Sequence, residues 1–131
     1  MELTEKDLAE HLDKETWPWK DSTFDYIRAF DLLHLARRTP AELLNEAWRV
    51  LKPEGEIHLR VPSAEGTMAF HPKARSFWTY RTFMWFDKDT RERYKQHYPA
   101  EGIKPFHVTI GQSTPDPMGG IMLEVKLKKV E

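Results

Sequence analysis

A chain of 131 residues is the length of one ordinary domain, enough to withdraw roughly two-thirds of its unfolded surface from water. Its formal net charge of −1 supplies no global field steering it to nucleic acid or an anionic membrane, and the absence of cysteine excludes disulfides, thiolate metal sites and a thiol nucleophile. No apolar run reaches the roughly eighteen residues of a membrane-spanning helix, and the start, MELTEKDLAEHLDKE, has no signal-type apolar stretch, so a soluble cytoplasmic protein is expected.

Thr4 is placed to cap a short helix running to about Asp13, with Leu8, Ala9 and Leu12 as its apolar edge. Trp17 to Thr23 reads as a loop whose Asp21-Ser22 pair suits a turn. Phe24 to Phe30 follows as a strand of aromatic and β-branched character, which puts Asp31 at a carboxyl-terminal strand edge. Thr39, Pro40 and Glu42 form a capping box with proline at the first helical position, and Leu44, Ala47, Trp48 and Leu51 recur with a 3.6-residue period. Pro53-Glu54-Gly55 is expected to stop that helix. Glu56 to Val61 then alternates apolar Ile57, Leu59 and Val61 with polar Glu56, His58 and Arg60, and Pro62-Ser63 ends the strand.

Strand, helix and strand make a βαβ unit whose strands run parallel, because the helix has to cross the sheet. Ligands of such sheets bind beyond the strand carboxyl ends, which here are Asp31 and Ser63. Beyond an aromatic-rich connection with short helices near Tyr80 to Phe86 and Thr90 to His97, strands at Phe106 to Gly111 and Ile121 to Val130 flank the turn-rich QSTPDPMGG, an antiparallel hairpin. The expected architecture is α/β: a mixed sheet of about four strands, two parallel and two in the hairpin, with flanking helices. It forms a single domain divided into a helix and loop (1–16), a βαβ unit (17–63), an aromatic lid region (64–98) and the hairpin (106–130).

Three blocks, WPWKDSTFDYIRAFDLLHL, ELLNEAWRVLKPEGEIHLRVPS and HPKARSFWTYRTFMWF, in this order and spacing, resemble the carboxyl-terminal half of a class I S-adenosylmethionine-dependent methyltransferase, closest to the type 11 group. The resemblance implies a truncated Rossmann-like half-domain in which Phe24 to Phe30 is the fourth strand of a seven-stranded sheet and Glu56 to Val61 the fifth. It implies that Asp31 stands near the methyl-transfer centre and that the block from Phe77 to Phe86 covers the substrate side. Two positions depart from the family pattern. An adenine-contacting Asp-Leu before the WP loop is His11-Leu12 here, and the LEHL segment is shortened to Leu33-His34-Leu35. The glycine-rich turn of the donor site finds no counterpart: the six glycines stand at 55, 66, 102, 111, 119 and 120, none in a Gly-x-Gly pair opening an early helix.

The candidate site residues are Asp31, as substrate-orienting group or general base, and Ser63, Arg75, Trp78 and Arg81 as substrate contacts. The competing reading makes Asp31 a loop residue capping the next turn. No cofactor-binding residue is assigned. The six histidines are dispersed without a His-x-x-x-His pair, so no metal is expected, and no nucleophile elbow supports a triad of Ser63, His34 or His58, and Asp31. Cations from Arg75 to Lys95 interleave with Trp78, Tyr80, Trp85 and Tyr94 in the manner of a single-strand stacking platform, but Asp87, Asp89 and Glu92 dilute the charge.

Without the first strands of the parent sheet, Phe24 to Phe30 would become a border whose unpaired groups need covering by the amino-terminal helix, a second copy, or another protein. The expected function is a methyltransferase-like binding or assembly module, homodimeric and with a small-ligand pocket, that does not bind S-adenosylmethionine alone. The alternatives are a subunit of a split methyltransferase that gains the donor with a partner chain, and single-stranded nucleic-acid binding.

Overall fold

The structure, a computed structural model, describes residues 1–113 and 116–131. Its elements are β1 (Glu2–Leu3), α1 (Glu5–Leu8), β2 (Phe24–Phe30), α2 (Pro40–Val50), β3 (Leu51–Pro62), α3 (Tyr80–Met84), α4 (Lys88–Arg93), β4 (Phe106–Gln112) and β5 (Met122–Lys129), with 3-10 turns at Ala9–His11, Leu33–Leu35 and Thr67–Phe70. The five strands lie in the order β1-β2-β3-β5-β4, so the sheet has one strand more than expected. β1, β2 and β3 are parallel, and β5 runs antiparallel to both β3 and β4. The mixed α/β architecture, the crossover and the hairpin are as the patterning implied. Thr114 and Pro115 of the turn-rich QSTPDPMGG segment lie outside the described residues.

The clearest sequence signal produced the clearest element. Thr39 Oγ1 accepts the Glu42 N–H at 3.2 Å, and the Glu42 carboxylate returns to the Thr39 N–H at 3.1 Å. Leu43, Leu44, Ala47 and Val50 form the buried stripe of α2. Leu51 does not extend that helix; it opens β3, opposite Phe24. Pro53-Glu54-Gly55 is therefore no loop but an irregular start to a twelve-residue strand, with Glu54 at φ 65° and a register shift in the partner between Phe24 and Tyr26. A Cβ on Gly55 would sit 2.8 Å from the Lys52 carbonyl oxygen, so the fold of this bulge demands glycine.

The amino terminus differs most from expectation. Thr4 makes no side-chain cap bond, and α1 is one turn long, continued only by the 3-10 turn. Ahead of it Glu2 and Leu3 pair with Tyr26 and Ile27, and Asp25 donates its N–H to the Met1 carbonyl at 2.9 Å. Where β1 ends, the Glu5 carboxylate accepts the Phe30 N–H at 2.8 Å and holds the Arg28 guanidinium at 3.0 Å. The border of β2 is thus closed from within the chain, by a strand and a carboxylate in place of a helix.

The core lies on one face of the sheet, where Ile27, Ala29, Ile57, Leu59, Val61, Leu123, Val125 and Leu127 pack beneath α2 together with Trp17, Trp78, Phe83 and Phe86. The opposite face carries Tyr26, Arg28, Glu56, His58, Arg60, Glu124 and Lys126. Cross-strand register there sets Arg60 beside Glu124 and Glu56 beside Lys128. The WPW loop is stapled to α2: Glu46 accepts the Trp17 N–H at 2.7 Å, and Arg49 donates to the carbonyls of Trp17 and Trp19 at 3.1 and 2.9 Å.

Candidate functional site

β2 ends at Phe30, and Asp31 turns the chain out over the sheet edge with φ 57°, a left-handed conformation that aspartate tolerates better than most residues. Its N–H stays in the ladder, bonded to the Arg60 carbonyl at 2.8 Å. Its carboxylate grips the Arg60 guanidinium at two points, 3.2 Å to Nε and 2.6 Å to Nη2. That bond raises the Arg60 pKa, and the guanidinium also lies 4.7 Å from the centre of the Phe30 ring. A charged pair is thereby fixed at the carboxyl ends of adjacent parallel strands, the location at which open α/β sheets receive ligands.

Two cavities share Asp31, Met68 and Met122. One, of about 620 Å³, lies between Asp31, Arg60, Met68 and the hairpin residues Gln112, Met122 and Glu124. The other, about 260 Å³, continues past Asp31, Met68 and Met122 to His34, Pro62 and His71. His34, in the 3-10 turn after β2, is 8% exposed, and its Nδ1 is buried with no partner among the described residues. Burial pulls its pKa below the ordinary imidazole value, with nearby His71 pushing the same way and Asp31 opposing. His34 thus stands in the wall of a cleft whose other side is thioether, an arrangement suited to a small, partly apolar ligand. The wall is held firmly: the His34 carbonyl accepts the N–H groups of Arg75 and Ser76 at 2.8 and 3.2 Å. Gly120 lets Met68 close in, since a Cβ there would meet its Sδ at 2.5 Å.

The five residues singled out from sequence do not converge. Asp31 lines the cleft. Ser63 is fully buried, with its N–H on the Ile121 carbonyl at 2.8 Å and its Oγ accepting the Glu65 N–H at 3.1 Å. Trp78 is also fully buried; it bridges to Ser63, donates its indole N–H to Ser76 Oγ at 2.7 Å and stacks 5.5 Å from Phe83. Arg75 opens instead onto a separate depression beside Asp13 and Arg37. Arg81 opens onto another, with Trp85, Tyr94 and His97. Of the aromatic run, Trp78, Phe83 and Phe86 belong to the core while Phe77, Tyr80 and Tyr94 are exposed, so no continuous stacking surface forms. His34, Met68 and Met122 line the cleft and were not among the candidates read from sequence. His34 has a signal in its place just after the strand end, whereas the methionines reach the cleft only through tertiary packing.

Nothing at the end of the first strand suits a methyl-donor cradle. β1 is followed by Thr4 and by Glu5, whose carboxylate is committed to Arg28 and Phe30. Gly66, Gly119 and Gly120 pack the hairpin loop against the Thr67–Phe70 turn, as a Cβ on Gly66 would lie 2.7 Å from the Gly119 carbonyl oxygen. Among the described residues no group of three or more His, Asp or Glu is placed to hold a metal ion, and no helix is long and apolar enough to cross a membrane.

A crossover-linked parallel sheet extended by an antiparallel pair, with a cleft at the strand carboxyl ends, is the architecture of the S-adenosylmethionine-dependent methyltransferases, and solved structures of that class superpose on this chain. A putative methyltransferase of Haloferax volcanii, solved in complex with the Trm112 methyltransferase activator, matches with a TM-score of 0.54 and 18% identity over 90% of this chain and 60% of its own. A possible histamine N-methyltransferase of Thermotoga maritima gives 0.55 and 18% over 88% and 60%, and an Archaeoglobus fulgidus methyltransferase 0.56 and 14% over 94% and 65%. The chain therefore spans about three-fifths of the length of these proteins. Residues 3–59 match the family model described as a methyltransferase domain, and the chain resembles that family in both sequence and fold. No curated protein matches the sequence.

Proposed function

We propose that this chain is a ligand-binding module on a methyltransferase framework, which keeps a substrate-side cleft and does not bind the methyl donor by itself. The observation that carries this reading is the cleft at the carboxyl ends of β2 and β3, where Asp31, fixed by Arg60, and His34 line the same space. Asp31 orients the polar end of the ligand, His34 accepts or donates one hydrogen bond, and Met68 and Met122 receive its apolar part. Ser63 and Trp78 support the floor through their mutual bridge, and Arg75 acts through its backbone bond to His34. Arg81 stands apart from the cleft and is read as a surface cation.

Isothermal titration of the purified chain with S-adenosylmethionine and S-adenosylhomocysteine tests the first half of the reading. Saturable binding of either at micromolar concentration would refute it. A fragment screen followed by amide shifts tests the second half: hits should perturb residues 31–35, Met68 and Met122 and be lost in His34→Phe. Hits that avoid all of these would remove the cleft as the site.

A second reading is a subunit of a methyltransferase completed by another protein. It is favoured by the Haloferax neighbour, which was solved with an activator protein bound. A partner that confers donor binding on the mixture, where neither chain binds alone, would establish this reading. Homodimerisation by continuing the sheet from β2 finds little support, because β1 and Glu5 already occupy that edge.

A further inference from the structure

α4 and the segment after it form a second groove that shares no residue with the cleft. Lys88, Arg91, Glu92 and Lys95 line one wall of a cavity of about 330 Å³, and Tyr98, Pro99, Ala100 and Pro105 line the other. Three cations against one carboxylate give this groove a surplus of positive charge in a protein whose net charge is −1. Arg91 sits deepest. Its Nη1 is buried without a partner among the described residues, and its Nη2 reaches only the Ala100 carbonyl oxygen at 3.5 Å, the limit of a hydrogen bond. A guanidinium has five donors and cannot escape its charge by deprotonating, so donors left unsatisfied in a low-dielectric site are costly. Burial accordingly pulls the Arg91 pKa down, against the pull of Glu92.

The opposite wall is not a loose loop that could drift away. Asn45 of α2 donates to the Gly102 carbonyl at 2.7 Å and accepts the Lys104 N–H at 3.0 Å. Trp48 donates its indole N–H to the Pro105 carbonyl at 3.1 Å, and Ile103 closes a turn onto Ala100 at 3.0 Å. The fold thus holds an apolar wall against three cations, one of them poorly satisfied, and leaves a small-molecule-sized space between.

We propose that this groove binds a phosphate monoester, with Arg91 as the anchoring cation, Lys88 and Lys95 flanking the dianion, and the organic body lying against Tyr98 and Pro105. A surplus of two positive charges over Glu92 matches a dianion. A cavity of about 330 Å³ exceeds the needs of inorganic phosphate alone and falls in the range of small-ligand sites.

The test is calorimetric titration of the full chain with inorganic phosphate and with phenyl phosphate at constant ionic strength, on the wild type, Arg91→Met, Lys95→Ala and, as a cation of the sheet face, Lys126→Met. The expected result is one saturable site, phenyl phosphate binding more tightly than phosphate, at least tenfold weakening by Arg91→Met, a smaller loss in Lys95→Ala and none in Lys126→Met. Arg91→Met should melt no lower than wild type, because it removes an unsatisfied buried donor while keeping the stem. Equal affinity for the two probes would assign the site to free phosphate. No saturable binding by the wild type, or equal weakening by Arg91→Met and Lys126→Met, would overturn the proposal. Should Arg91→Met not fold, the double variant Lys88→Ala/Lys95→Ala must lose the same binding.

Discussion

Replacing Glu5 by alanine tests whether the border of β2 is closed by the chain itself. The Glu5 carboxylate accepts the Phe30 N–H at 2.8 Å, a charge-assisted bond of a class that contributes about 1.5–3 kcal/mol when shielded. Its ion pair with Arg28 leaves the two side chains 25% and 46% exposed, so solvent screening makes that contact the minor part. Water reaching the freed N–H recovers part of the first contribution, and the expected net loss is about 2 kcal/mol. With a urea dependence of about 2 kcal/mol per molar, the denaturation midpoint falls by about 1 M. A pH signature accompanies it. Burial pushes the Glu5 pKa up, but the bonds from Arg28 and from the Phe30 N–H outweigh it and leave the folded value below the ordinary one. The contribution is thus complete above the unfolded carboxyl range, about pH 4.3, and disappears as pH falls through the lower folded value. Glu5→Gln should remove that part of the acid slope. A midpoint for Glu5→Ala within about 0.15 M of wild type, the equivalent of about 0.3 kcal/mol, with an unchanged acid slope, would show that the edge needs no such closure.

Further outcomes follow from contacts elsewhere. Trp78→Ala should cost about 3–5 kcal/mol in urea denaturation, since the ring is fully buried; a loss under about 1 kcal/mol would return Trp78 to the ligand surface. Thr39→Ala should cost about 1 kcal/mol by removing the cap of α2. The Arg38 and Thr39 bonds that lower Glu42 to about 2 should keep the capping box closed until pH falls close to that value, as read from carboxyl shifts by NMR. Burial lowers the Lys129 pKa, while its Nζ donates to the Leu51 carbonyl at 2.7 Å and lies 4.0 Å from the Trp48 ring. Stability should therefore rise as pH climbs through the folded value toward about 10.4, and Lys129→Met should abolish that rise while changing stability at pH 7 by less than about 1 kcal/mol. The lowered His34 pKa makes stability fall as pH drops below about 6.5 and through the folded value, a slope that His34→Gln should flatten.

What could be read from sequence was whatever a local pattern determines. The capping box of α2, the alternation through Ile57, Leu59 and Val61, and Asp31 at a strand end are set by neighbours within a few residues, and all three stand where the pattern puts them, whereas the helical period overran by one residue at Leu51. Pro53-Glu54-Gly55 misled because the residues that end helices also build bulges, and only the partner strand decides between the two. β1 was invisible: two residues carry no period, and their strand character comes wholly from Tyr26 and Ile27. In the aromatic block the sequence shows rings but not their direction. Phe77 points out and its neighbour Trp78 points in, because Trp78 bridges to Ser63, a pairing across a gap no local rule spans. The place of the cleft, beside Asp31, was legible but most of its lining was not, since Met68 and Met122 meet His34 only once the hairpin packs beside β3.

The polar face of the sheet bears on assembly more directly than the border strand does. Parallel strands are ordinarily covered on both faces and read as continuous apolar runs, yet here β2 and β3 alternate. Their outward residues are tied to one another: Glu5 to Arg28, Asp31 to Arg60, His58 to Tyr26 at 3.0 Å, with Phe30 lying between the guanidiniums of Arg28 and Arg60 at 5.5 and 4.7 Å. Such a surface has little to gain from an apolar helix laid across it, because burying these charges would cost more than their mutual attraction returns. A protein that docks on this face must therefore bring its own complementary charges, and its binding should weaken steeply with salt, whereas one that completes the cleft from the hairpin side would meet Met68 and Met122 and be nearly insensitive to it. The salt dependence of any complex this chain forms thus separates the two docking modes before a structure of the complex is known.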